Sequence, residues 1–217
     1  GQRLLAKDFM IWEDKGGEAD IDQIIEPQSQ ALFAPPVTPK PNFGFSESVV
    51  WIKIPIQNNG TNREKFILQL DNDVLGEVWM YQVRGTDIGN PMRHGAYLPT
   101  FERVLKTRKI GLPFQLEAGE EKILYLKVST HNDFWLGFTL HSQDSFFQGL
   151  VFESKLKGLF YGILSIVFLF CLSFFLLTRM AVFSSLGFFI VLGISYTLSL
   201  DSFLGDWATV WAGKTGG

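Results

Sequence analysis

Trp51, Trp79, Tyr81, Tyr125 and Trp135 each sit between aliphatic neighbours, on the same side of a period-two pattern. Aromatic rings offer flat apolar faces with polar edges, the kind of surface on which a sugar ring or another small polar molecule stacks. A stretch from Arg84 to Lys109 brings complementary chemistry, with Arg84, Arg93, His94, Arg103, Lys106, Arg108 and Lys109. Cations at this density suit carboxylates, hydroxyls or lipid headgroups. The candidate ligand-binding residues are therefore Trp51, Trp79, Tyr81 and Trp135, with Arg93, His94 and Arg103 as polar partners. Two plainer uses compete: large rings fill a buried sheet face well, and a basic loop is most often simply solvated.

Catalytic chemistry finds little support. His94, His131 and His141 lie too far apart in sequence for a local metal motif, and a pair meeting across strands would lack a third ligand. There is no nucleophile elbow, phosphate loop, HExxH or CxxC. "LDNDVLGE" begins like a calcium loop at Asp71, Asn72 and Asp73 but does not continue as one, so it reads as a polar turn. The Asn59 triplet "NGT" fits a glycosylation acceptor, a pattern common by chance. Glu77 is the one acid on the aromatic face, where a glycan hydrolase needs two facing carboxylates. The expectation is a non-catalytic chain with no metal and no cofactor.

Alternating strands would position these side chains. "VVWIKIPI" sets Val50, Ile52, Ile54 and Ile56 against Trp51, Lys53 and Pro55. "KFILQL", "EVWMYQV", "KILYLKV" and "DFWLGFTL" repeat the alternation, and turn clusters such as "NNGTN", "RGTDIGNP" and "EAGEE" separate them. Short alternating strands between turns predict an antiparallel β-sandwich. "EADIDQIIE" is a short helix or an edge strand, and the prolines of "APPVTPKPNFG" make it a loop. "SQDSFFQGLVFESKLKG" starts a helix with Asp144 or Ser145 as its cap. That helix either runs on as one rod or hinges near Gly149 or Gly158.

Beyond Gly158 the material changes, since only Arg179, Asp201, Asp206 and Lys214 carry charge there. The uncharged runs 158–178 and 180–200 are each about 30 Å long as helices, the thickness of a bilayer's hydrocarbon core. They predict a membrane hairpin turning at Arg179, which gives three parts: a sandwich over 1–142, a linker helix over 143–157 and a membrane region over 158–217. Cys171 is the lone cysteine, so no intrachain disulfide can form. The net charge of −3 argues against nucleic acid. "GQRLLAKDF" lacks the apolar core of an export signal, so either a leader has been removed or the domain stays inside. Lys155 and Lys157 against Arg179 place it weakly inside by the positive-inside rule.

Taken in order, several segments resemble one family, the bacterial seven-transmembrane receptors with diverse intracellular signalling modules. "FMIWEDKGGEADIDQII", "NFGFSESVVWIKIPIQNNG", "LQLDNDVLGEVWMYQV" and "GAYLPTFERVLKTRKIGLPFQLEAGEEKILYLKV" are similar to successive stretches of its type 2 extracellular domain. "GLFYGILSIVFLFCLSFFLLTR" is similar to its first span, whereas "MAVFSSLGFF" lacks the tyrosines usual at the start of the second. The resemblance implies a jelly-roll of the carbohydrate-binding type, exported to the periplasm and anchored in the inner membrane by the first of several spans. It outweighs the charge count, because lysines can snorkel to headgroups on either side. It also implies a small-molecule ligand, perhaps-saccharide in class or otherwise polar, the lipid bilayer and a second copy of the chain as partners, with a kinase or cyclase output module further on. A membrane-tethered glycan-active enzyme and a structural envelope domain are the alternatives.

Overall fold

The computed structural model describes residues 2–3, 8–46, 48–85 and 87–200, with the side chains of 2–3 and 198–200 left aside. Asp201, Asp206 and the rest of the C-terminal stretch therefore lie outside the described residues. The chain forms two compact units, Gly1–Phe147 and Gln148–Gly217.

In the first unit every strand pairing is antiparallel. One sheet runs β1 (Gln2–Arg3), β12 (Phe138–Ser142), β5 (Glu64–Leu70) and β9 (Gly111–Leu116). The other runs β2 (Met10–Asp14), β4 (Val49–Gln57), β10 (Glu121–Ser129), β6 (Glu77–Arg84) and β7 (Asp87–Ile88), with β8 (Met92–His94) also on β6. A separate ribbon pairs β3 (Asn42–Phe45) with β11 (Asp133–Trp135). Pro113 lacks a backbone donor and accordingly lies on β9, an edge strand of its sheet.

The predicted alternation locates the core. Val50, Ile52, Ile54, Val78, Met80, Leu124, Leu126 and Val128 from one sheet meet Leu68, Leu70, Leu112 and Phe138 from the other in a single buried cluster. Cross-strand register aligns them, with Leu126 between Ile52 and Met80 and Leu124 beside Ile54. Each such side chain contributes about 1.5–3 kcal/mol on burial, which is what holds two otherwise separate sheets face to face. One-residue slippage would turn every one of them outward.

Two local features depart from the sequence reading. "DFWLGFTL" is broken, not continuous: β11 ends at Trp135 and β12 begins at Phe138. Between them a Cβ on Gly137 would come within 2.8 Å of Asp71 Oδ2, and Asp71 N–H donates to the Gly137 carbonyl at 2.9 Å. The chain crosses close beside Asp71 there, which only glycine permits. The helix cap is also displaced. Ser142, not Asp144 or Ser145, accepts the Ser145 N–H on its Oγ at 3.3 Å, and α3 (Gln143–Thr178) starts on the next residue.

"EADIDQIIE" forms a short helix, α1 (Ile21–Ile24), followed by α2 (Pro27–Gln30). Asp20 and Gln23 close a capping box over α1's first turn. In the C-terminal unit α3 continues unbroken through Gly149 and Gly158. It is long and apolar enough to cross a membrane, and only 6% of its most apolar stretch is buried. Arg179, at φ 57°, ends it in a left-handed conformation, its N–H donating to the Phe175 carbonyl. The chain then turns back into α4 (Ala181–Leu200), where Phe183 meets Phe174 at 5.4 Å between ring centroids.

Candidate functional site

The outer face of the six-stranded sheet carries the aromatic row. Trp51 and Trp79 flank Lys127, and Tyr81 pairs with Tyr125. The face is not open along its length. Residues 14–34 fold across it, bringing Ile21, Ile24 and Phe33 onto Trp51 and Tyr125 in a second buried cluster. Asp14 begins this cover, its carboxylate accepting the N–H groups of Gly16, Gly17 and Ala19 at 3.0–3.1 Å. Gln30 pins the far end, accepting from Lys53 Nζ at 2.6 Å and from the Tyr125 hydroxyl at 3.2 Å. Lys127 Nζ donates to the Ala19 carbonyl at 3.2 Å. Burial pushes the Tyr125 and Tyr81 phenols above their ordinary range, Asp20 adding to the effect at Tyr81.

This cover decides which of the sequence candidates stay within reach of a ligand. Trp51 has 0% exposure and its indole Nε1 has no hydrogen-bond partner among the described residues. Tyr81 is half-buried and stacks on Trp51 at 6.0 Å. Trp79 is half-buried at the uncovered end, with the Arg93 guanidinium 4.2 Å above its ring and Glu77 accepting from its Nε1 at 3.4 Å. Arg93 also pairs with Glu77 at 3.9 Å, so Trp79, Arg93 and Glu77 form one corner. His94, the next residue along β8, points the other way into the core and is wholly buried. Its Nδ1 accepts the Gly95 N–H at 2.8 Å, and desolvation, aided by Arg103, lowers its pKa to about 4. The Leu105 carbonyl, outside hydrogen-bond geometry to Nε2, offsets part of that shift.

Arg103 donates to the Leu98 and Thr107 carbonyls at 2.9 and 3.3 Å and so braces its own loop. Trp135 belongs to the β3–β11 ribbon, away from Trp51 and Trp79, with Lys40 Nζ 4.7 Å over its ring. The structure thus brings Trp79 and Arg93 together, holds Tyr81 near them against Trp51, and leaves His94, Arg103 and Trp135 apart. His131 stacks on Tyr97 at 6.0 Å, while His141 lies edge-on to Phe146 at 5.9 Å.

A second concavity went unread in the sequence. It has a volume of about 280 Å³ and opens between the sheets, lined by β5 and β9 on one side and β6, β8 and β10 on the other. Phe66, Met92, Pro113 and Phe114 form its apolar part. Gln82, Gln115 and Gln143 bring side-chain amides, and Lys65 and Lys122 bring ammonium groups. Gln143 is the first residue of α3, and the preceding Ser142 pairs with Phe66 across β12 and β5. Glu120, beside the pocket, accepts the Glu117 N–H at 2.7 Å and pairs with Lys122 at 3.4 Å. Those contacts, the hydrogen bond first, hold its carboxyl below the usual carboxylate range. Only Phe66 and Phe114 left a trace in sequence, as inward residues; the glutamines lie on different strands and share no spacing.

The comparison with known proteins completes the picture. A family model described as 7TMR-DISM extracellular 2 matches residues 6–142, ending on the last residue of β12. No curated protein matches the chain.

Proposed function

Because the chain belongs to the 7TMR-DISM extracellular 2 family, we propose that it is the ligand-sensing, extracytoplasmic part of a bacterial signalling receptor together with the opening of its membrane region. The observation that carries this reading is the junction. The family match ends at Ser142, and α3 begins at Gln143 with no connecting residue. A strand that lies between β1 and β5 therefore runs directly into an apolar helix, and a shift of that strand has no slack to absorb it before the helix. In this reading α3 and α4 are the first two spans, the bilayer is a constant partner, and catalysis belongs to a module beyond this chain.

The sensory unit is assigned a jelly-roll of the carbohydrate-binding type. The strand order β1-β12-β5-β9 beside β4-β10-β6-β8 supports it, because successive strands alternate between the sheets as that topology requires. A saccharide or other small polar ligand follows from the same assignment. The rival, a glycan-active enzyme, is disfavoured by Glu77, whose carboxylate is taken up by Arg93 and Trp79.

Orientation tests the proposal directly. A cysteine at Thr61, an exposed turn residue, in a Cys171→Ser background should react with an impermeant maleimide in intact spheroplasts. Labelling only after lysis would put the domain in the cytoplasm and overturn the receptor reading.

A further inference from the structure

The inter-sheet pocket offers more uncommitted binding chemistry than the aromatic face does. On the face, Trp51 is covered, Arg93 and Glu77 satisfy each other, and Lys127 is tied to Ala19. In the pocket, the side chains of Gln82, Gln115 and Gln143 make no hydrogen bond among the described residues. Each amide carries one acceptor and two donors, a set that matches vicinal hydroxyls. Phe66 and Phe114, stacked at 5.6 Å with planes 25° apart, add the apolar surface that the C–H face of a sugar ring requires.

Charge narrows the ligand further. Lys122 is already answered by Glu120 at 3.4 Å and donates to the Gln115 carbonyl at 2.9 Å. Lys65 is exposed and forms no ion pair among the described residues, so one positive charge at the rim is unopposed. A volume of about 280 Å³ falls just below the roughly 300–1,000 Å³ typical of small-molecule sites, which suits a single ring. We propose that this pocket is the sensor's ligand site and that it takes a monosaccharide-sized sugar acid, its hydroxyls on the three glutamines and its one carboxylate on Lys65. The assignment rests on the sensory reading above and adds the place and the ligand class.

The location also supplies a route for the signal. Gln143 is α3's first residue, and three residues on Phe146 is 3% exposed, near Ile67 and Leu105 around Gly111. A ligand held by Gln143 on one side and by β6 and β9 on the other favours whichever position of the helix start lets all three bind. That differential contact is what allows a ligand to shift an equilibrium.

Calorimetric titration of the full chain in detergent micelles tests this, with sodium glucuronate as probe and glucose and acetate as controls. Saturable glucuronate binding is expected, with glucose about tenfold weaker and acetate giving no saturable heat. Lys65→Gln should reduce glucuronate affinity about tenfold, equivalent to about 1.4 kcal/mol, and leave glucose unchanged. Gln143→Ala should weaken both sugars. Both side chains reach solvent, so wild-type melting of the two variants is expected and separates binding from folding. Glucuronate binding that neither variant alters would move the site elsewhere and overturn the pocket, while leaving the sensory reading standing. Glucose binding as tightly as glucuronate, or no saturable heat with glucuronate, would overturn the sugar-acid class. Failure of the sensory reading itself shows separately, in the maleimide labelling.

Discussion

Trp51 and Trp79 flank Lys127 in one row of the six-stranded sheet, yet their surroundings give them different work. Trp51 is sealed beneath α1 and Phe33, so truncating it leaves a cavity the size of an indole. Trp51→Ala should cost about 3–5 kcal/mol of stability. Trp79 is half-buried and loses chiefly its stacking with Arg93, so Trp79→Ala should cost about 1 kcal/mol. Denaturant melts of the two variants read the difference, and equal losses would contradict the covered-face geometry. His94 gives a pH signature. Its folded pKa of about 4 lies below the unfolded value of about 6.5, so between these limits the unfolded chain binds a proton that the folded chain refuses. The unfolded state therefore gains as pH falls through that window, and stability rises with pH across it. His94→Gln should flatten this part of the stability–pH curve relative to wild type. An unchanged slope between about pH 6.5 and 4 would place the titration on other groups.

At the scale of elements, the cover over the aromatic face is two helices of four residues each, too short to be stable alone. Packing on Trp51 and Tyr125 and the Asp20–Gln23 capping box hold them. Removing the cap with Asp20→Ala should cost about 1 kcal/mol. Hydrogen exchange should then quicken over residues 19–34 and stay unchanged in β12, because the cover belongs to a cluster separate from the main core. Exchange that quickens equally in β12 would mean that cover and core open together. Gly95 shows a different constraint. At φ 137°, a Cβ there would come within 2.2 Å of the Gly76 carbonyl oxygen, so the turn after β8 needs glycine for both shape and space.

For the molecule as a whole, the contrast lies between a unit that buries its apolar face and a helix that does not. The first unit closes around one shared core, whereas α3's most apolar stretch leaves Leu169, Phe170, Leu176 and Leu177 largely exposed. Water does not tolerate so much contiguous apolar surface, and a bilayer does. The full chain should stay in the membrane pellet after alkaline carbonate extraction. Recovery in the supernatant would show that α3 is covered by protein instead of lipid.

Much of this was legible in the residues. Period-two alternation marked the inward side of β4, β5, β6 and β10, because a pleated strand sends alternate side chains to opposite faces whatever surrounds it. The uncharged run from Gly158 marked an apolar helix, because length and hydropathy are local properties. Trp51 and Trp79 looked alike for the same reason, since alternation says which face a ring is on and not what covers that face. Only the tertiary structure laid residues 14–34 over Trp51, broke the chain at Gly137 to carry Trp135 onto another ribbon, and turned His94 inward beside Val78. The pocket was invisible for a deeper reason. Gln82, Gln115 and Gln143 come from two strands and a helix start, and nothing but the closing of one sheet over the other makes them neighbours.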